Sequence, residues 1–176
     1  MAKYLLPHFG EIDLSALEES YETKIDLNQS KIRININFDN KTIDPSKMDI
    51  VKTFLEHIDQ FDKQNNLHIN NDYNNEDGVT VKEFVEFHID EFDKEDLAQL
   101  VDFGNNEVTP EQQLLNKLKL ERLGLYPDGK YDSIFAVFDY TFEGNVYVDG
   151  VRTITDQIIV VKTDETGQLD HLTCES

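Results

Sequence analysis

The chain has 176 residues, enough for one domain with a sizeable core, and its 39% hydrophobic and 30% charged residues describe a soluble globular protein. Sixteen Lys and Arg against 36 Asp and Glu give a formal charge of -20. Such a surface repels nucleic-acid backbones and anionic membranes, so neither is expected as a partner, whereas a basic protein is. Cys174 is the single cysteine, which excludes an internal disulfide and a metal site built from cysteines.

The opening run Met1 to Gly10 is short, is broken by Pro7, and is followed by Glu11 and Asp13. It does not have the long apolar core of a signal peptide, and no stretch approaches the length of a membrane span, so the expected address is the cytoplasm. Ser15-Ala16-Leu17-Glu18 fits a capping box and predicts one or two helical turns. A strand is expected from about Tyr21 to Leu27, then a turn at Asn28-Gln29-Ser30. The most regular stretch of the chain follows: Ile32, Ile34, Ile36 and Phe38 alternate with Arg33, Asn35 and Asn37. That period of two predicts an antiparallel hairpin with one face on the core.

Asp44-Pro45 predicts a helix start, with Asp44 as N-cap and Pro45 in the first helical position. Met48, Val51, Phe54, Leu55, Ile58 and Asp62 mark its inner side. Asn65-Asn66 and Asn70 to Gly78 are rich in breakers. Thr80 to Glu83 forms a second capping box, opening a helix that buries Val81, Phe84, Val85, Ile89 and Phe92. A short helix at Leu97 to Val101 stops near Gly104. Thr109-Pro110 opens a last helix through Leu114, Leu115, Leu118 and Leu123, ended by Gly124.

Beyond Tyr131 the pattern returns to strands. Ile134 to Phe138 and Ile158 to Val161 are continuous apolar runs, expected in the middle of a sheet. Asp149-Gly150 suits a tight turn between Val146–Val148 and Val151–Thr153, and Thr166-Gly167 precedes a last strand at Leu169 to Cys174. The late aromatics Tyr131, Phe135, Phe138, Tyr140, Phe142 and Tyr147 read as core or cross-strand pairs. The expected fold is therefore a single α+β domain. Its antiparallel sheet of about five strands combines an N-terminal hairpin and a C-terminal meander, with a helical insert at about 44–124 packed on one face.

The acid is concentrated in that insert. Residues 44–111 hold 18 acids and 5 bases, a balance of -13. Glu56, Asp59, Glu86, Asp90 and Glu91 are expected on the outer helical faces, available to a basic partner. Within the insert, Asp72 to Glu83 resembles a calcium loop of the EF-hand type. Asp72, Asn74, Glu76, Thr80 and Glu83 offer oxygen ligands, but the glycine required at the sixth position arrives one place late, at Gly78. Site-specific calcium binding is therefore not expected, and no other cofactor is called for.

Val51 to Lys63 is echoed by Val81 to Lys94, the second copy carrying one extra residue, Phe87. One inserted residue turns the rest of a helix by about 100°, so His88 should enter the buried stripe while His57 stays at its edge. The two histidines are thus not an equivalent ligand pair. No nucleophile elbow, phosphate loop or zinc-protease motif is present.

Phe9 to Asp13, the alternating hairpin strand, Val81 to His88, Phe138-Asp139-Tyr140 and Thr155 to Val161 together resemble an uncharacterised bacterial family, known mainly from Bacteroidetes and defined only as a domain of unknown function. The likeness covers nearly the whole chain and implies a small intracellular bacterial protein. Val146 to Arg152 departs from it as an elongated hairpin. The functional expectation is a non-enzymatic acidic interaction module, for instance an immunity-like protein that neutralises a basic toxin domain. The alternatives are an enzyme built from scattered carboxylates and histidines, and a calcium-responsive domain.

Overall fold

The computed structural model describes residues 3–129, 131 and 133–176, with the side chain of Tyr147 excepted; the first two residues of the N-terminal run lie outside that range. The chain opens with an antiparallel pair, β1 (Lys3–Leu6) and β2 (Gly10–Asp13). The helical turns expected at Ser15 to Glu18 do not form. Instead the Asp13 carboxylate accepts the Ser15 backbone N–H at 3.0 Å and its hydroxyl at 2.6 Å, and this local turn leaves the Ser15 side chain unable to cap a helix.

The hairpin forms as expected from β3 (Ser20–Leu27) and β4 (Ser30–Asn37). Asn28 and Gln29 both take positive φ, 48° and 68°, which suits a two-residue turn between twisted strands. Ile32, Ile34, Ile36 and Phe38 are buried and the residues between them only partly so.

Helix α1 (Pro45–Glu56) is capped by Asp44, whose carboxylate accepts the Ser46 N–H at 2.8 Å. His57 ends it and α2 (Ile58–Asn74) begins at once. The breaker-rich stretch therefore does not interrupt the chain until after Asn74. Ile58, Asp62, Asn65 and Ile69 form one buried helical stripe. Asn70 and Asn74 donate their side-chain amides to the carbonyls four residues back, at 2.8 and 2.7 Å, so they are satisfied within the helix.

Helix α3 (Thr80–Glu91) follows, but not through the expected capping box. Val79 is its N-cap, and the orphan N–H of Val81 is taken by the Asp72 carboxylate at 2.7 Å. Gly78 lies so close to α2 that a Cβ there would fall 1.8 Å from the Asp72 carbonyl oxygen. Its place is set by this crossing, which only glycine permits. The short α4 (Lys94–Leu97) is capped by Asp93, and α5 (Pro110–Asn116) by Thr109. Leu97, Leu100 and Val101 are buried, but the short helix expected at Leu97 to Val101 lies at Lys94–Leu97 instead, so only the first of the three is helical.

The largest correction concerns Leu118 to Leu125. It is a strand, β5, and not the end of a helix. The spacing of Leu114, Leu115 and Leu118 suits a helix, but Leu123 and Leu125 lie opposite Ile34 and Ile36 of β4 in a parallel ladder. Burial against that strand outweighs the local pattern. The remaining strands are β6 (Ala136–Phe142), β7 (Tyr147–Val148), β8 (Val151–Arg152), β9 (Ile158–Thr163) and β10 (Leu169–Glu175). The α+β class holds. The main sheet is mixed and six-stranded, in the order β10-β9-β6-β5-β4-β3, with β1-β2 and β7-β8 as separate pairs. It is not the purely antiparallel five-stranded sheet expected, because β5 adds a strand and pairs with β4 in parallel.

The chain divides into two compact units. The first comprises Met1–Asn65, Leu120–Asp139 and Val161–His171. In its core the Phe54 ring packs 5.1 Å from Phe135 and 6.0 Å from Phe138. The second comprises Asn66–Lys119, Tyr140–Val160 and Leu172–Ser176, with Phe84 packed 5.4 Å from Phe142. No helix among the described residues is long and apolar enough to cross a membrane.

Candidate functional site

A groove lies in the first unit, where α1 meets α2. Asp49, Thr53 and His57 follow one another at four-residue spacing and so share one side of α1. Thr53 donates its hydroxyl to the Asp49 carbonyl at 2.9 Å, and His57 bonds the Thr53 carbonyl through Nδ1 at 2.7 Å. The His57 carbonyl then accepts the N–H groups of Gln60 and Phe61, which bends the chain into α2. This bend stacks the Phe61 ring on Phe54, 4.3 Å between centroids and 27° between planes.

The turn between β9 and β10 completes the site. Asp164 accepts from the Thr166 N–H, the Thr166 hydroxyl and the Gln168 N–H at 2.7–2.9 Å. Burial raises its pKa, but these hydrogen bonds outweigh that and hold the carboxyl below its ordinary value. Gly167 sits at φ 81°, and a Cβ there would lie 2.2 Å from the Phe61 ring. Glycine is thus needed twice over, for the backbone conformation and for the space. The turn leans on Phe61 and brings Glu165 and Thr166 to the mouth of the groove.

The resulting groove encloses about 590 Å³. Ile50, Phe54 and Phe61 give it an apolar lining, and the exposed Asp49, His57 and Glu165 line it as well. A smaller hollow of about 210 Å³ adjoins it, sharing Ile50 and Glu165 and adding Tyr126, Ile134 and Phe135. Ile50 is 39% exposed between the two. Tyr4 donates its hydroxyl to the Asp49 carboxylate. Partial burial, reinforced by that bond and by the charges of Asp49 and Glu56, pushes the Tyr4 pKa up to about 12, so at neutral pH the phenol keeps its proton. Among the described residues no hydrogen bond joins His57 to Asp49 or Glu165. An apolar lining accompanied by carboxylates suits an apolar side chain flanked by cationic ones.

The acids singled out from sequence fall in both units. Glu56 is exposed in the first, and Asp59 beside it is half-buried and paired with Lys63. Glu86, Asp90 and Glu91 are exposed on α3 in the second. The five loop residues weighed for calcium do not form an open loop. Asp72 and Asn74 close α2, Glu76 is exposed beyond it, and Thr80 and Glu83 belong to the first turn of α3. The Asp72 carboxylate is occupied by the Val81 N–H, and no group of three metal-ligating side chains occurs among the described residues.

The helical echo resolves as the phase argument requires. Val51, Phe54, Leu55 and Ile58 are buried in the first copy, and Val81, Phe84, Val85 and His88 in the second. His88 occupies the place of Ile58, fully buried, while His57 is exposed. Its Nδ1 meets the Phe84 carbonyl at 2.7 Å and its Nε2 the Thr155 hydroxyl at 3.0 Å. Phe84, Phe87, Phe92 and Phe142 surround the ring at 4.4–5.2 Å. Desolvation lowers its pKa and outweighs the opposing influence of the Phe84 carbonyl and of Asp156. The imidazole is therefore neutral, with Nδ1–H donating and Nε2 accepting, and it belongs to the core.

Sequence reasoning did not find Asp49, Ile50, Phe61 or Glu165 as a site. The one available signal was the Thr166-Gly167 turn, and nothing in the pattern joined it to a helix so distant in the chain. Comparison with protein-family models, with curated proteins and with solved structures finds no match to this chain.

Proposed function

We propose that the protein is a non-enzymatic interaction module that receives a basic segment of a protein partner in the α1–α2 groove. The observation that carries this reading is the apolar lining of Ile50, Phe54 and Phe61 together with the carboxylates of Asp49 and Glu165 in the same groove. An apolar side chain of the partner fills the groove, and flanking Lys or Arg residues meet the carboxylates. The formal charge of -20, concentrated in residues 44–111, supports the same reading, since it steers a basic partner toward the protein before contact. Neutralisation of a basic toxin domain is one concrete form of this role.

The test is affinity capture from the native lysate with the wild-type protein and with Ile50→Glu and Glu165→Lys. A basic protein held by the wild type and released by both variants supports the reading. A captured protein that is acidic, or that both variants hold equally well, contradicts it.

A further inference from the structure

In a chain so rich in acid, three basic side chains stand in one row. Lys24 of β3 lies directly opposite Arg33 of β4, and Arg33 lies directly opposite Arg122 of β5. Register partners on neighbouring strands point to the same side of a sheet, and neighbouring strands lie about 4.8 Å apart, so the row spans roughly 10 Å. All three belong to the first unit, and two of them are among the chain's three arginines. The row projects from the side of β4 opposite Ile32, Ile34 and Ile36, away from the core that the α1–α2 groove caps. Lys24 is exposed, while Arg33 and Arg122 are half-buried.

Like charges placed directly opposite one another repel, and of the three only Arg122 has an ion-pair partner among the described residues. Asp26 is paired with Lys31 at 3.2 Å, and Glu22 accepts the Asn35 amide at 3.0 Å. Among the described residues Lys24 and Arg33 have no ion-pair partner. Arg122 gives Nη1 to Asp139 at 3.1 Å and Nη2 to the Tyr126 hydroxyl at 3.4 Å, while its Nε is buried without a hydrogen-bond partner. Gly124 lies beside this arrangement: a Cβ there would stand 3.2 Å from both Arg122 Nη2 and the Tyr126 hydroxyl, so those side-chain ends would have to give by a few tenths of an ångström.

We propose that Lys24, Arg33 and Arg122 bind a phosphate group, free or as a small monoester, on the sheet face away from the α1–α2 groove. A single carboxylate pairs with one guanidinium, as Asp139 pairs with Arg122 through Nη1 at 3.1 Å. A row of three cations, two of them planar forks, matches a tetrahedral dianion instead. Tyr126 packs against Tyr131, 4.7 Å between ring centroids, and Tyr131 is 46% exposed. This places an aromatic surface at the Arg122 end of the row, beside which the organic part of a monoester can lie. The site is independent of the proposed partner groove, and neither reading depends on the other.

The experiment is a titration of the full chain with inorganic phosphate and with phenyl phosphate, followed by amide NMR at an ionic strength held constant with sodium chloride. Saturable shifts at Arg33 and Arg122 are expected. Arg33→Gln and Lys24→Gln should each weaken binding by about tenfold, the fold-change of one charge-assisted hydrogen bond. Both variants keep the side-chain stem and remove a repulsion, so their melting temperatures without ligand should equal or exceed the wild-type value. Saturation by both ligands identifies the free anion as sufficient, and saturation by phenyl phosphate alone identifies a monoester. Absence of saturation with either ligand, or affinity undiminished in both variants, overturns the proposal.

Discussion

Replacing Gly167 by alanine tests how the candidate groove is built. Two separate costs meet at this position. A non-glycine residue at φ 81° carries the left-handed penalty of roughly 1–2 kcal/mol. The new Cβ would also lie 2.2 Å from the Phe61 ring, and accommodating it in a packed site adds about 1–3 kcal/mol. Gly10, in the same unit, separates the two. It has a similar φ of 77°, and a Cβ added there would meet nothing within 4 Å, so Gly10→Ala bears the conformational cost alone. Urea unfolding should therefore show Gly167→Ala destabilised by about 2–5 kcal/mol and Gly10→Ala by about 1–2 kcal/mol. In a Phe61→Leu background the Gly167→Ala loss should shrink toward the Gly10 value, since the smaller, flexible side chain gives way. Equal losses at the two glycines, or no coupling to Phe61, would refute the claim that the β9–β10 turn is seated on that ring.

His88 should make stability depend on pH. Its folded pKa lies below the ordinary 6.5, so the unfolded chain binds the extra proton first. The stability it contributes is complete above 6.5 and is lost as pH falls below that value. Urea midpoints from pH 7.5 downward should drop more for wild type than for His88→Leu, and parallel curves would count against a buried neutral imidazole. Ile34→Asp should cost more than about 4 kcal/mol, because it puts an unpaired charge at a position with no exposure. Asn35→Asp, facing Glu22 on the other side of the strand, should cost about 1 kcal/mol or less; equal urea midpoints for the two would mean that the alternation does not mark the buried face. Calcium titration at physiological salt should give no stoichiometric isotherm, since Asp72 already holds the Val81 N–H. A one-to-one isotherm abolished by Glu83→Gln would contradict that.

The parts of the fold legible in sequence are those whose signals are local. The β3–β4 hairpin, the Asp44 and Thr109 caps and the inward phase of His88 each depend on residues within a turn or two of one another. Leu118 to Leu125 misleads because its first leucine continues a helical spacing and Gly124 resembles a helix stop. Its parallel partner β4 lies far back in the chain, and only that partner decides the outcome. The asparagines at 65–74 mislead in the other direction: their composition says loop, while the buried stripe of Asn65 and Ile69 and the amide bonds to carbonyls four residues back say helix. The groove shares this difficulty, since Phe61 and Gly167 have no pattern in common until the fold brings them together.

The most direct test of the proposed function is the association rate with the captured partner, measured against salt. Charges separated by more than about 8 Å are largely screened at physiological ionic strength, so a steered encounter slows steeply as salt rises. The account predicts that slope for the wild type. It also predicts a lower rate when Glu56, Glu86, Asp90 and Glu91 are reversed in charge, and faster dissociation for Ile50→Glu. An association rate indifferent to salt and to the reversals, with dissociation unchanged in Ile50→Glu, would contradict both the acidic steering and the groove.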